Sequence, residues 1–131
     1  MKKILLLATV LLIGCKKNDN AKTVNTYQEA YYEYLNYTCP GNVLAGQSAP
    51  SYLVPHEDNN SSVKFDQNII YAVSGNIKTQ VGVYTSSYIV FDSNLSDTLS
   101  ITTNTPSLIV AQGSHPVPCT DHTITRYTFQ Q

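Results

Sequence analysis

Ser74-Gly75-Asn76-Ile77-Lys78-Thr79-Gln80-Val81-Gly82-Val83-Tyr84 (residues 74–84) opens with a tight-turn tripeptide and continues in period two. Ile77, Thr79, Val81 and Val83 alternate with Lys78, Gln80, Gly82 and Tyr84, the spacing of a half-buried strand leaving a hairpin. Outward from this stretch the same signal recurs. Leu99, Ile101 and Thr103 repeat the alternation, and short β-rich runs lie at 51–54, 62–66, 68–74, 87–92, 107–111 and 122–129. Asp92 to Ser96 reads as a looser turn, and His56 to Ser62 as a polar exposed loop. Ile69 to Val73 and Tyr88 to Phe91 are apolar on both faces, as in central strands. About seven to eight short strands at this spacing imply a mainly β domain, an antiparallel sandwich or small barrel.

One segment breaks the pattern. Thr26-Tyr27-Gln28-Glu29 has the T-x-x-E spacing of a capping box, and Tyr27, Ala30, Tyr31, Tyr34 and Leu35 follow at helical spacing. Cys39-Pro40-Gly41 supplies a stop. These features predict an N-terminal helix at about 27–37, packed on the sheet. Five of the ten tyrosines fall here. They read either as rings laid on the sheet with wet hydroxyls, or as a platform for stacking sugars. Tyr27, Tyr31 and Tyr34 are therefore candidate binding residues, with His56 and His115 from the loops.

The beginning of the chain is of another kind. Met1-Lys2-Lys3 is a short positive region, and Ile4 to Ile13 is almost wholly apolar. As a helix those ten residues span about 15 Å, half of a bilayer's hydrocarbon core, which suits a signal peptide better than a membrane span. Leu12-Ile13-Gly14-Cys15 resembles the lipobox of bacterial lipoproteins. The resemblance implies a diacylglyceryl group on the Cys15 sulfur, cleavage after Gly14, and often acylation of the new amino terminus. Residues 1–14 are then the leader and 15–25 a lipidated cysteine with a polar tether, of reach roughly 17 Å for ten residues. Residues 26–131 form the single domain. Lys16 is not the Asp that retains enteric-type lipoproteins on the inner membrane, which points to the outer membrane and leaves its face open.

Removing Lys2 and Lys3 with the leader leaves six basic against nine acidic residues. No basic stripe remains to neutralise a run of phosphates, which argues against nucleic acid as a partner. The expected partners are the membrane, through the lipid, and a protein or glycan. Oligomeric state is open.

With Cys15 lipidated, Cys39 and Cys119 remain, and an even pair in an oxidising envelope compartment reads as a disulfide. The rival is a metal site, since His115, Cys119, Asp121 and His122 fall within eight residues. Their spacing matches no zinc pattern, and a disulfide would occupy Cys119. Gly-x-Ser-x-Gly and a phosphate-cradling glycine loop are both missing from the sequence, so no cofactor and no catalysis is expected. Asp97-Thr98-Leu99 is similar to the acceptor of an O-glycosylation system in some Gram-negative bacteria, which implies glycosylation at Thr98. Tyr37-Thr38-Cys39 with a late cysteine resembles the small lipoproteins that inhibit C-type lysozyme, although that family's Ser-Gly-x-Arg/Lys-Tyr signature is missing.

Three functions follow: a non-catalytic binding or structural module of the envelope, an inhibitor of a hydrolase such as lysozyme, and a hydrolase whose carboxylates meet only in space. Ligand contacts are expected from loops 55–62 or 112–121. A cleft gathering two carboxylates or a Ser–His pair would favour the enzyme, and a protruding loop the inhibitor. A flat polar face with tyrosines would favour binding.

Overall fold

A computed structural model describes residues 24–92 and 98–131. The expected leader, Cys15, most of the expected tether, and the turn that Asp92 begins, with Asp97, lie outside these residues. Eleven antiparallel strands make one sheet. In chain order they are β1 (Asn25–Tyr27), β2 (Glu29–Thr38), β3 (Val43–Gln47), β4 (Ser51–Tyr52), β5 (Ser61–Asp66), β6 (Ile69–Ser74), β7 (Ile77–Tyr84), β8 (Tyr88–Phe91), β9 (Leu99–Asn104), β10 (Leu108–Gln112) and β11 (His122–Gln130). From β4 onward every strand falls on a run that reads as β in the sequence.

Turn chemistry sets the registers. Gly75 and Asn76 join β6 to β7 in a two-residue hairpin, with Ser74 opposite Ile77 and Gly75 at φ 56°. Gln67 and Asn68 do the same between β5 and β6, at φ 51° and 69°, the double positive φ of a type I′ turn. The alternation in β7 does not survive intact. A bulge between Ile70 and Tyr71 of the β6–β7 pairing places an extra residue in β7, so the strand changes faces midway. Ile77, Thr79 and Val83 are exposed, whereas Val81 and Tyr84 pack on the core. Gly82 then meets β8 so closely that a Cβ would lie 2.5 Å from the Val90 carbonyl oxygen.

The expected helix at 27–37 is a pair of strands. β2 matches β11 residue for residue, from His122 opposite Tyr37 to Gln130 opposite Glu29. Nine consecutive cross-strand pairs, rich in Tyr and Thr, outweigh an eleven-residue helix that would be marginal in water. The helical spacing has a different cause. The chain bends at Gln28, between β1 and β2, so Tyr27 and Ala30 both turn inward although three residues apart. Further along, Glu33 and Leu35 are buried on the opposite face from Ala30. Among the described residues there is no helix. Cys39-Pro40-Gly41 is indeed a stop, as part of the turn between β2 and β3.

The sheet path runs β1-β5-β6-β7-β8-β9-β10-β11-β2-β3, with β4 also on β2. From β5 to β11 it is a simple meander. Its two ends land on one segment, since β5 pairs with β1 and β11 with β2, and only Gln28 separates those two. Aromatic rings pack together where these ends meet. Phe65 of β5 stands 5.0 Å from Phe129 of β11, and Tyr27 lies 5.3 Å from Phe65.

Tyr27 is fully buried and its hydroxyl has no hydrogen-bond partner. Burial pushes its phenol above the ordinary value near 10, Tyr84 adds to the rise, and the approach of Asn25 pulls it back in part without completing a bond. A buried unpaired hydroxyl destabilises by about 1–3 kcal/mol. Tyr27→Phe is expected to raise stability in urea by about 1 kcal/mol. The raised value means that the fold holds the phenol neutral. That contribution is intact below about pH 10 and lost as pH climbs through the folded value. The Phe variant should therefore lose stability less steeply in alkali.

Candidate functional site

The loop of residues 113–121, between β10 and β11, brings His115, Cys119 and Asp121 close in sequence to His122 at the start of β11. Gly113 prolongs the ladder by donating its N–H to the Thr125 carbonyl at 3.1 Å. Cys119 is bonded to Cys39, with 5.8 Å between the Cα atoms, so the loop is tied to the end of β2. Asp121 reinforces that tie by accepting the Cys39 N–H at 2.9 Å.

The two histidines form a directed pair. His122 Nδ1 lies 2.6 Å from the Thr120 carbonyl, which can only accept, so Nδ1 carries a proton. In neutral His122 the other nitrogen, Nε2, is then an acceptor, and His115 Nδ1 donates to it across 2.8 Å. Tyr37, opposite His122 in the β2–β11 register, stacks on that ring at 5.5 Å and meets His115 edge-on at 4.6 Å. The quartet that reads as a possible metal site is thus divided. Cys119 is consumed by the disulfide, Asp121 holds a backbone N–H, and the histidines bind each other.

Clamped at its base in this way, the loop projects His115-Pro116-Val117-Pro118. Val117 is 96% exposed, the largest exposure among the large hydrophobic residues described. Two prolines limit the backbone on either side of it. Beyond the disulfide, β3 adds Val43 and Leu44, both exposed.

The remaining candidates fall in three places. Tyr27 is in the core, out of reach of any ligand. Tyr31 is half-buried and packs 5.7 Å from Tyr52, on which His56 stacks at 4.0 Å. Tyr31 and His56 are thereby joined through a residue the sequence did not single out, because Tyr52 sits in a short run with no period of its own. Tyr34 is exposed on the other face of β2, edge-on to Tyr32. Within the polar stretch 56–62, Asp58 accepts from the Asn60 N–H and from Ser61 Oγ, each at 2.9 Å, and these bonds hold its carboxyl below the usual carboxylate range. Ser61 and Ser62 are buried in β5 and leave the exposed loop shorter than the sequence suggests.

Thr98 is exposed and lines a cleft of about 430 Å³ with Leu99, Gly113, Ser114, Thr123, Ile124 and Thr125, none of them titratable. Glu33 is engaged elsewhere. It is buried on the β2–β11 face, paired with Arg126 at 2.7 Å and bonded by Gln47 at 2.6 Å. Nothing local in the sequence marks this pair, whose members are 93 residues apart. Comparison with family models, with curated proteins and with solved structures gives no match.

Proposed function

We propose that the protein is a non-catalytic envelope lipoprotein, held on the outer membrane through lipid on Cys15, that binds a protein partner with loop 113–121. The sheet serves as a small closed barrel, a reading supported by both ends of the meander pairing with one N-terminal segment. The observation that carries the binding reading is Val117. Val117 is 96% exposed on a loop already fixed at its base, so covering it with a partner would remove apolar area from water at about 25 cal/mol per Å². A pre-organised loop loses little conformational entropy on docking, which favours affinity. A second reading is favoured by the same projection: the loop enters the cleft of a hydrolase and blocks it. The Tyr31–Tyr52–His56 row is the place where a glycan would stack, and Thr98 is accessible for glycosylation.

The experiment has two arms in intact cells. Cys15→Ala is expected to abolish lipid labelling and leave uncut precursor, and normal maturation of that variant would overturn the anchoring. A photo-crosslinking residue at position 117 is expected to give a discrete protein adduct that is missing when the same residue stands at 77. Equal labelling from both positions, or none from 117, would overturn the loop as the binding element.

A further inference from the structure

Inside the sheet the side chains do not fill all the space. A partly open cavity of about 160 Å³ is lined by Val63, Ala72, Val81, Phe91 and Tyr127, from β5, β6, β7, β8 and β11, together with Leu53. Small residues on three neighbouring strands leave the room, and two aromatic rings 4.6 Å apart form the far wall. A second space of about 190 Å³ shares Leu53 and Ala72 with the first, and reaches the exposed Ile77 and Thr79 of the β6–β7 hairpin. Leu53 and Ala72 thus line both an inner chamber and an outer vestibule. Leu53 is half-buried, and its N–H is donated to the Ala30 carbonyl at 2.8 Å.

We propose that the inner chamber is a binding site for a small apolar ligand, a single aromatic ring or a short branched hydrocarbon of about six heavy atoms. Size and lining set the class. An apolar cavity of about 150 Å³ stays dry and takes up benzene, because water there would forgo its hydrogen bonds while an apolar guest restores missing dispersion contacts. Five of the six lining side chains, Val63, Ala72, Val81, Phe91 and Leu53, are wholly apolar, and only Tyr127 brings a polar side-chain atom, so a charged guest would find no counter-charge there. The vestibule is the route in, with Leu53 rotating aside to admit the guest. This site is independent of loop 113–121 and of any protein it contacts.

The test uses the mature lipidated protein in phospholipid vesicles, with thermal unfolding followed by near-UV circular dichroism. Benzene is expected to raise Tm saturably, on the order of 5 °C. Ala72→Leu, which fills the chamber, should abolish the rise. Val63→Ile and Val81→Ile provide milder fillings should Ala72→Leu not fold, and each should reduce it. Naphthalene should have no effect on the wild type yet raise the Tm of Leu53→Ala, in which chamber and vestibule merge. The absence of any benzene effect, or a rise of the same size in the filled variants, would overturn the proposal, since partitioning into the vesicle acts on all variants alike.

Discussion

Cys39→Ser/Cys119→Ser is expected to lower the unfolding free energy by about 4 kcal/mol and Tm by roughly 15–30 °C. The bond spans 80 residues, most of the domain. Cutting it releases the unfolded chain from a large closed loop, and the entropy so regained scales with the logarithm of loop length. The slope of unfolding against urea should rise as well, because an uncrosslinked unfolded state exposes more surface. A second consequence is local. Without the bond, loop 113–121 is held by the Asp121–Cys39 backbone contact, the Gly113–Thr125 and His122–Thr120 bonds and the packing of Tyr37 on the His115–His122 pair, all of them non-covalent. Amide exchange in that loop should therefore accelerate more than in β10 or β11, and crosslinking from position 117 should weaken even at temperatures where the domain is folded. A loss below about 1 kcal/mol would mean that the unfolded chain is already compact enough for the constraint to matter little. Intact mass under non-reducing conditions supplies the control, with two hydrogens missing from the cysteine pair.

The sequence was most legible where one face of a strand is buried and a turn residue marks its end. Gly75 and Asn76 place the β6–β7 hairpin without ambiguity, since positive φ and a two-residue loop admit few alternatives. The N-terminal segment imitates a helix for a physical reason. A bend at Gln28 and a strand buried on both faces put Tyr27, Ala30 and Leu35 at intervals that a helix would also produce. β3 was invisible, because Val43, Leu44 and Ala45 are all exposed and leave no alternation to read. The bulge in β7 left its hydrophobic residues in step with a period that the fold interrupts. Loop 113–121 could be found from its density of His, Pro and Cys, whereas its internal pairing could not. Whether His115 meets His122 or a metal depends on where Thr120 and Tyr37 stand, and only closure of the β2–β11 ladder decides that.

Phe129→Ala is expected to destabilise the protein by about 3–5 kcal/mol in urea, with the slope unchanged. Phe129 is fully buried near the end of β11. Its backbone lies between Ala30 of β2 and Ile109 of β10, while its ring reaches Tyr27 of β1, Phe65 of β5 and Phe91 of β8. One side chain thus touches the segment on which the meander starts and ends, the meander's first strand and one from its middle. Truncation removes apolar area from water-free surroundings, leaves a void the sheet cannot collapse into, and deletes aromatic contacts worth roughly 0.5–1.5 kcal/mol each beyond their area. Phe129→Leu keeps most of the volume and should lose less than half as much. Were Phe129→Ala to cost no more than an exposed substitution such as Ile77→Ala, the aromatic rings could not be what joins the two ends of the sheet. The pairing of β1 with β5 would then have to be held by its three-residue ladder alone, which is too short to close the fold.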